Sequence, residues 1–341
     1  MLFNGWSIED KRETPGNPWR GHPFNAENNV NGIDGDANGD GQGREVHTLA
    51  NPAVTVLQKA YLAKVVETLR DQENVLYEIS NESNPESIPW QYEMIRTLHA
   101  LESHQANRHP VGMTSPFPPL PGRNDPLYDS PAEWVSPRLA PREREDPPAA
   151  TGDKVVIYDT DHLWGIGGDT DWVWRTLLRG SQSLFMDPCV TRVADGFPTW
   201  SADDPAVLAA PCPVSEYEDV RQAMGWAQLL ANQLDLARLA PAPEVCSTRY
   251  CLAAPGQEYL AFAPVAHRRR RSWLGLLGPR VCTEPVTLDL SEAKGRVDLE
   301  WIDAEHGTRV PAGSVTGGGR IELRAPFVAD ALLHAHVEAP N

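Results

Sequence analysis

Up to about residue 243, apolar positions along the chain alternate between two periods. Val54, Leu57, Tyr61, Val65 and Leu69 recur at spacings of three and four, which predicts an amphipathic helix with Pro52 in its first turn. Val75-Leu76-Tyr77 with Ile79 is instead a continuous apolar run, which predicts a strand over 74–80 packed on both faces. A second helical stretch carries Tyr92, Ile95, Leu98 and Leu101. Short strands follow near 109–115 and 133–136, and "KVVIYDTDH" (154–162) reads as another. A helix near 169–179, a strand over 183–188 and a long helix within 215–238 complete the series, which the opening "MLFNGW" begins as a strand. Strand–helix repetition of this kind predicts an α/β fold with a parallel sheet and crossover helices.

Beyond residue 243 the period shortens. "EYLAFAP", "PVTLDL", "VDLEWID" and "RIELRAPF" are short alternating runs separated by Gly-containing turns, which predicts an antiparallel β-sandwich. The expected organisation is therefore an (α/β) domain over 1–243 and a sandwich over 244–341.

Composition narrows the class. The 341 residues are 41% hydrophobic and 23% charged, as in a folded globular protein. A formal net charge of -17 argues against binding a phosphate backbone, and the lone "RRRR" run (268–271) reads as a solvated turn, so no nucleic-acid partner is expected. No stretch is long and apolar enough to predict a membrane span. "MLFNGWSIED" has neither the basic nor the apolar region of a signal peptide. The five Cys form no CxxC pair, so no zinc site is read there; a disulfide of Cys246 with Cys251, or of either with Cys282, stays open.

The strand over 74–80 ends unusually, delivering Asn81-Glu82 before the turn "SNP". In barrels, catalytic groups come from the carboxyl ends of strands. Glycoside hydrolysis needs two carboxyl groups flanking the scissile bond, and the end of "IYDTDHLWG" offers Asp159, Asp161 and His162. On an extended strand Asp159 and Asp161 share a face. Caps and turns use the same residue types, so spacing alone leaves a structural role open for each. Trp6, Trp19, His22, Phe24, Asn28, Trp164 and Trp172 lie on or near the same strand ends and could contact a sugar by stacking or hydrogen bonding, and so could His162, which like His22 sits in a loop-like stretch with polar neighbours.

The loop 34–45, "DGDANGDGQGRE", fits the spacing of a calcium loop, with Asp34, Asp36, Asn38, the Asp40 carbonyl and Glu45 as oxygen ligands and Gly39 at the sharp turn. The alternative is a Gly/Asp-rich loop with solvated carboxylates. "GIGGD" (165–169) lacks both GxGxxG spacing and a P-loop lysine, so no nucleotide cofactor is expected.

Four segments carry a family resemblance. "GHPFNAENNVNGI", "NVLYEISNE", "DTDHLWGIGGD" and "RGSQSLFMDP" are similar to apiosidase-like glycoside hydrolases, members of a clan of retaining enzymes built on (β/α)8 TIM-type barrels. The tail "VTLDLSEAKGRVDLEWIDAEHGTRV" resembles the collagen-binding-type β-sandwich that often follows such barrels. The resemblance implies a carbohydrate substrate, secretion or a periplasmic location, and no cofactor required for catalysis. It implies that Glu82 is the acid/base, that Asn81 binds substrate, and that Asp161 or Asp159 stands where the clan has a Glu nucleophile. Aligned to that barrel, "MLFNGW" is the third strand and "VLYEISNE" the fourth, so the first two strands are unaccounted for and a truncated chain is the expectation. The alternative function is a non-catalytic carbohydrate- or matrix-binding protein with a degenerate barrel. Collagenolysis finds no support: there is no HExxH motif.

Overall fold

The computed structural model describes residues 1–11, 17–118, 124–187, 193–194, 197–198, 217–265 and 285–338. "RRRR", Cys189, Cys212 and Cys282 lie outside them. The chain divides into two compact units, one of Met1–Ala140 with Lys154–Ile157, the other of Pro141–Asp153 with Tyr158–Asn341.

In the first unit β1 (Phe3–Asn4) lies parallel to β3 (Ser80–Asn81), pairing Phe3 with Ser80 and Asn4 with Asn81. β2 (Tyr77–Glu78), on the same stretch of chain as β3, pairs in parallel with β4 (Val111–Thr114), which pairs with β5 (Trp134–Ser136). β5 in turn pairs with β6 (Val155–Asp159) through Val155 and Val156. Helices α1 (Pro52–Leu69) and α2 (Ile88–Glu102) form the crossovers, giving the parallel β/α succession of a TIM-type barrel.

Two details depart from the sequence pattern. The strand read over 74–80 starts only at Tyr77, and Leu76 is 55% exposed. The buried stripe of α1 is Val54, Gln58, Leu62 and Val66, rather than the one containing Leu57 and Tyr61, which are exposed. Gln58 is tolerated inside because each of its polar atoms has a partner: its Oε1 accepts from Trp90 Nε1 (2.9 Å) and its Nε2 donates to the Val46 carbonyl (2.8 Å). Asn51 caps this helix, its side chain accepting from Val54 N at 3.3 Å.

The first unit also holds the short helix α3 (Asp125–Tyr128) between β4 and β5; in the second come α4 (Pro141–Glu145), α5 (Thr160–Leu163), α6 (Thr170–Leu178), β7 (Gln182–Leu184), the paired β8 (Val193–Ala194) and β9 (Phe197–Pro198), and α7 (Glu218–Ala231). An antiparallel sandwich follows. One sheet has the order β10 (Ala240–Pro241), β11 (Cys251–Ala254), β12 (Glu258–Ala263), β17 (Ala331–Val337), β14 (Arg296–Asp303), β15 (Arg309–Thr316). The other pairs β13 (Val286–Asp289) with β16 (Arg320–Leu323). Tyr259, Ala261, Leu299, Trp301 and Leu333 face the smaller sheet, with the buried free thiols Cys246 and Cys251 among them.

The larger sheet's opposite face is also apolar at one end. Leu252, Leu260, Phe262, Ile302 and Leu332 pack with Trp174, Leu177 and Leu178 of α6 and Leu230 of α7. Helices that the sequence period assigns to the barrel thus share a core with the sandwich. Among the described residues no helix is long and apolar enough to cross a membrane.

Candidate active site

Glu82 follows β3 directly, at the carboxyl end of a parallel strand, and is 9% exposed. Its φ is +47°, in the left-handed region that glutamate rarely occupies. Such a conformation persists only where the surroundings over-determine it. Gly5 N donates to the Asn81 carbonyl at 2.8 Å, bringing β1 flush against this turn. Lys11 Nζ donates to the Glu82 carbonyl (2.7 Å) and the Phe117 carbonyl (2.9 Å). Phe117 N donates to the Ser83 carbonyl at 3.0 Å. The Ser83 hydroxyl is hydrogen-bonded to Ser80 Oγ (2.6 Å) and His47 Nδ1 (2.8 Å). His47 in turn stacks on Trp90, with ring centroids 4.5 Å apart.

The Glu82 carboxylate accepts from Trp6 Nε1, so this indole positions a carboxylate through its polar edge. Trp6 and Phe117 lie 5.4 Å apart by ring centroid, and the Lys11 ammonium sits 5.7 Å and 5.3 Å from their respective centroids. Lys11 is ion-paired with Glu9 (3.0 Å), which Arg44 also reaches (2.5 Å). Burial pushes the Lys11 pKa below its usual value, while the carboxylates of Glu9 and Glu82 pull it up. Burial also lowers His47 to about 3 and His22 to about 4, so both imidazoles are neutral near pH 7. Beside Glu82, Asn84 is 2% exposed, and neither polar atom of its side chain has a hydrogen-bond partner.

Lys11, Glu9, His47 and Phe117 escape a reading of the sequence. "EDK" looks like a solvated charge run, and no local pattern signals that two of its members are buried.

In the second unit the shared-face argument for Asp159 and Asp161 fails. The strand ends at Asp159, and Asp161 and His162 lie in α5. Asp159 caps that helix, its Oδ1 accepting from Asp161 N at 2.9 Å. Burial, reinforced by the Asp161 charge and offset by this hydrogen bond, raises Asp159 to about 6. Asp161 is half-buried, and His162 is buried at 2% exposure. Trp164 is 38% exposed, with its Nε1 donating to the Gly167 carbonyl (3.0 Å) and its ring edge-on to Trp172. Trp164 offers an open face, whereas Trp172 is 3% exposed.

The raised Asp159 carries a stability prediction. The native state holds the proton more tightly than an aspartate of ordinary value 3.8. Asp159 therefore costs nothing below that value, and its penalty grows as pH rises to about 6 and then levels off. Asparagine caps equally well. Asp159→Asn should gain about 1–2 kcal/mol at pH 7 and almost nothing at pH 3.5, less than the full shift because relaxation softens burial. Urea midpoints at the two pH values check it; equal gains at both would show that the desolvation argument is wrong.

In the long loop before α1 the aromatic side chains pack inward. Trp19 is not an open platform: it is 3% exposed, in a cluster with Ile8, Val46 and Val54 against which Phe24 packs. Gly35 and Gly43 make room for it, since a Cβ on either would lie 2.7 Å and 2.2 Å, respectively, from the indole. His22 stacks on Trp19 at 5.1 Å, and its Nδ1 accepts from Phe24 N. Asn28 Nδ2 brackets the turn by donating to the Arg20 and His22 carbonyls.

Within 34–45 the acidic side chains fold the loop on itself. Asp36 Oδ1 accepts from Gly39 N and Asp40 N and its Oδ2 from Gly41 N, Asp34 Oδ1 accepts from Asp36 N, and Asn38 Nδ2 donates to Glu45 Oε1 (2.7 Å). Glu45 Oε2 is buried with no hydrogen-bond partner.

No family model and no curated protein sequence matches the chain. Solved structures do. A protein described as a glycoside hydrolase is similar over 87% of this chain and 71% of its own, with a TM-score of 0.54 at 13% identity. A glycoside hydrolase family 5 protein from Bacteroides vulgatus ATCC 8482 is similar over 85% and 67%, with a TM-score of 0.55 at 12% identity. The chain thus has an α/β fold of TIM-barrel type with a C-terminal antiparallel sandwich, shared with solved glycoside hydrolases.

Proposed function

We propose that this protein is a glycoside hydrolase acting on an oligo- or polysaccharide through two carboxylates. The observation that carries this reading is Glu82, an acid held in a left-handed turn at the end of a parallel strand by buried polar groups, within a fold used by glycosidases. Glu82 protonates the leaving oxygen and then activates water. Asp161 is the nucleophile, a role supported by the engagement of Asp159 as a helix cap. Asn81 and the open face of Trp164 bind the sugar, and the apiosidase-like resemblance supports a retaining outcome. Turnover of a panel of aryl glycosides and of plant and bacterial polysaccharides tests the reading, with Glu82→Gln as control. Binding without turnover in both proteins would replace it with the carbohydrate-binding alternative.

We further propose that the 34–45 loop binds Ca2+, supported by its all-oxygen donor set and the buried, unpartnered Glu45 Oε2. Calcium should raise the melting temperature of the chain, and Glu45→Gln should remove the rise. An unchanged melting temperature at millimolar calcium would exclude it.

A further inference from the structure

The outer face of the larger sandwich sheet changes character along its strands. Leu260, Phe262, Leu332 and Ile302 at one end lie under α6 and α7. Further along, the same face carries His334 and His336 of β17, Glu258 of β12, and Asp298 and Glu300 of β14. The register fixes these neighbours: His336 stands opposite Glu258 on one side and Asp298 on the other, and His334 stands opposite Glu300.

The three carboxylates are not equivalent. Asp298 is ion-paired with Arg296 (2.9 Å) and Glu300 with Arg309 (2.9 Å). Glu258 has no such cation; its ion partners among the described residues are the two imidazoles. Its Oε1 lies 3.0 Å from His334 Nε2 and 3.9 Å from His336 Nδ1. Both nitrogens thus face one carboxylate oxygen. The side chains of Glu258 and His334 are 20% and 18% exposed, and that of His336 is open to solvent at 60%.

Histidines two apart on a strand project from the same face, with backbones roughly 7 Å apart, so both rings can reach one ion. The strands are held on both sides, since β17 is hydrogen-bonded to β12 and β14 along its length. Two imidazoles and a carboxylate form a donor set of the kind that takes zinc and its neighbours in preference to calcium or magnesium. Zinc holds such donors at roughly 2.0–2.2 Å, so the three side chains must draw together around the ion from their present separations of 3.0 Å and 3.9 Å. We propose that Glu258, His334 and His336 form a divalent transition-metal site on the sandwich, with water completing the coordination. The bound ion would clip β12 to β17.

The test is titration of the metal-free full chain with zinc chloride by calorimetry. One zinc per chain is expected, lost in His334→Ala/His336→Ala and weakened roughly tenfold or more in Glu258→Gln. Asp298→Asn and Glu300→Gln, which keep the neighbouring carboxylates' shape outside the site, should bind as the parent does. In the unsubstituted chain, zinc should also shift the imidazole resonances of both His334 and His336. Either of two results overturns the site: zinc binding unchanged in the double variant, or resonances of the two histidines that do not move. The spectroscopic arm needs no folded variant.

Discussion

Glu82→Gln is expected to lower turnover about 10²–10⁴-fold on any glycoside the parent hydrolyses, the range a positioned acid/base supplies. The substitution is close to isosteric, so the Trp6 Nε1 donor keeps an oxygen to meet. The Lys11 contact goes to the Glu82 backbone carbonyl and is unaffected by the change of side chain. Stability should therefore change little. The signature is loss of rate with a preserved melting temperature, and a leaving group that needs no protonation should recover part of the glycosylation step. Full activity in a folded Glu82→Gln protein would exclude Glu82 as the acid.

Gly5→Ala is expected to cost about 3 kcal/mol or more in stability and to displace Glu82 as it does so. A Cβ on Gly5 would lie 2.4 Å from the Glu82 carbonyl oxygen and 2.5 Å from Ser83 Cα. These are backbone atoms of a turn already fixed by Lys11, Phe117 and the Ser80–Ser83–His47 chain, so they have no rotamer with which to yield. Relief must come by parting β1 from β3, which breaks the Gly5 N to Asn81 hydrogen bond. Gly21→Ala is the control, because nothing lies within 4 Å of its Cβ position. Denaturant midpoints of the two variants should differ by the full steric term; equal midpoints would mean that β1 is free to move.

What the sequence reveals follows the range of the interactions involved. The α/β alternation and the change to antiparallel strands are local periodicities, and Asn81-Glu82 stands out because a polar pair interrupts an apolar strand. The buried face of α1 was hidden because Gln58 is polar by type and internal by its partners, Trp90 and Val46. Trp19 looked like a sugar platform for a related reason. The glycines that admit it, Gly35 and Gly43, lie in the same Gly/Asp-rich loop, and packing across such a loop leaves no periodic trace. Lys11 is the furthest from legibility: its environment is assembled from residues 9, 82 and 117, far apart along the chain. Asp161 was placed on a strand because nothing in "YDTDH" marks Asp159 as the cap that ends it.

The cluster that joins α6 and α7 to the sandwich has a practical bearing on dissection of the molecule. Residue 243, where the sequence changes character, invites a cut into a barrel half and a sandwich half. Such a cut would divide a core. The piece ending there would carry Trp174, Leu177, Leu178 and Leu230 uncovered, and the piece beginning there would bare Leu252, Leu260, Phe262, Ile302 and Leu332. Two apolar faces of this kind are prone to aggregate. Poor solubility of either half would then report a misplaced boundary, and would say nothing about whether that half has a function.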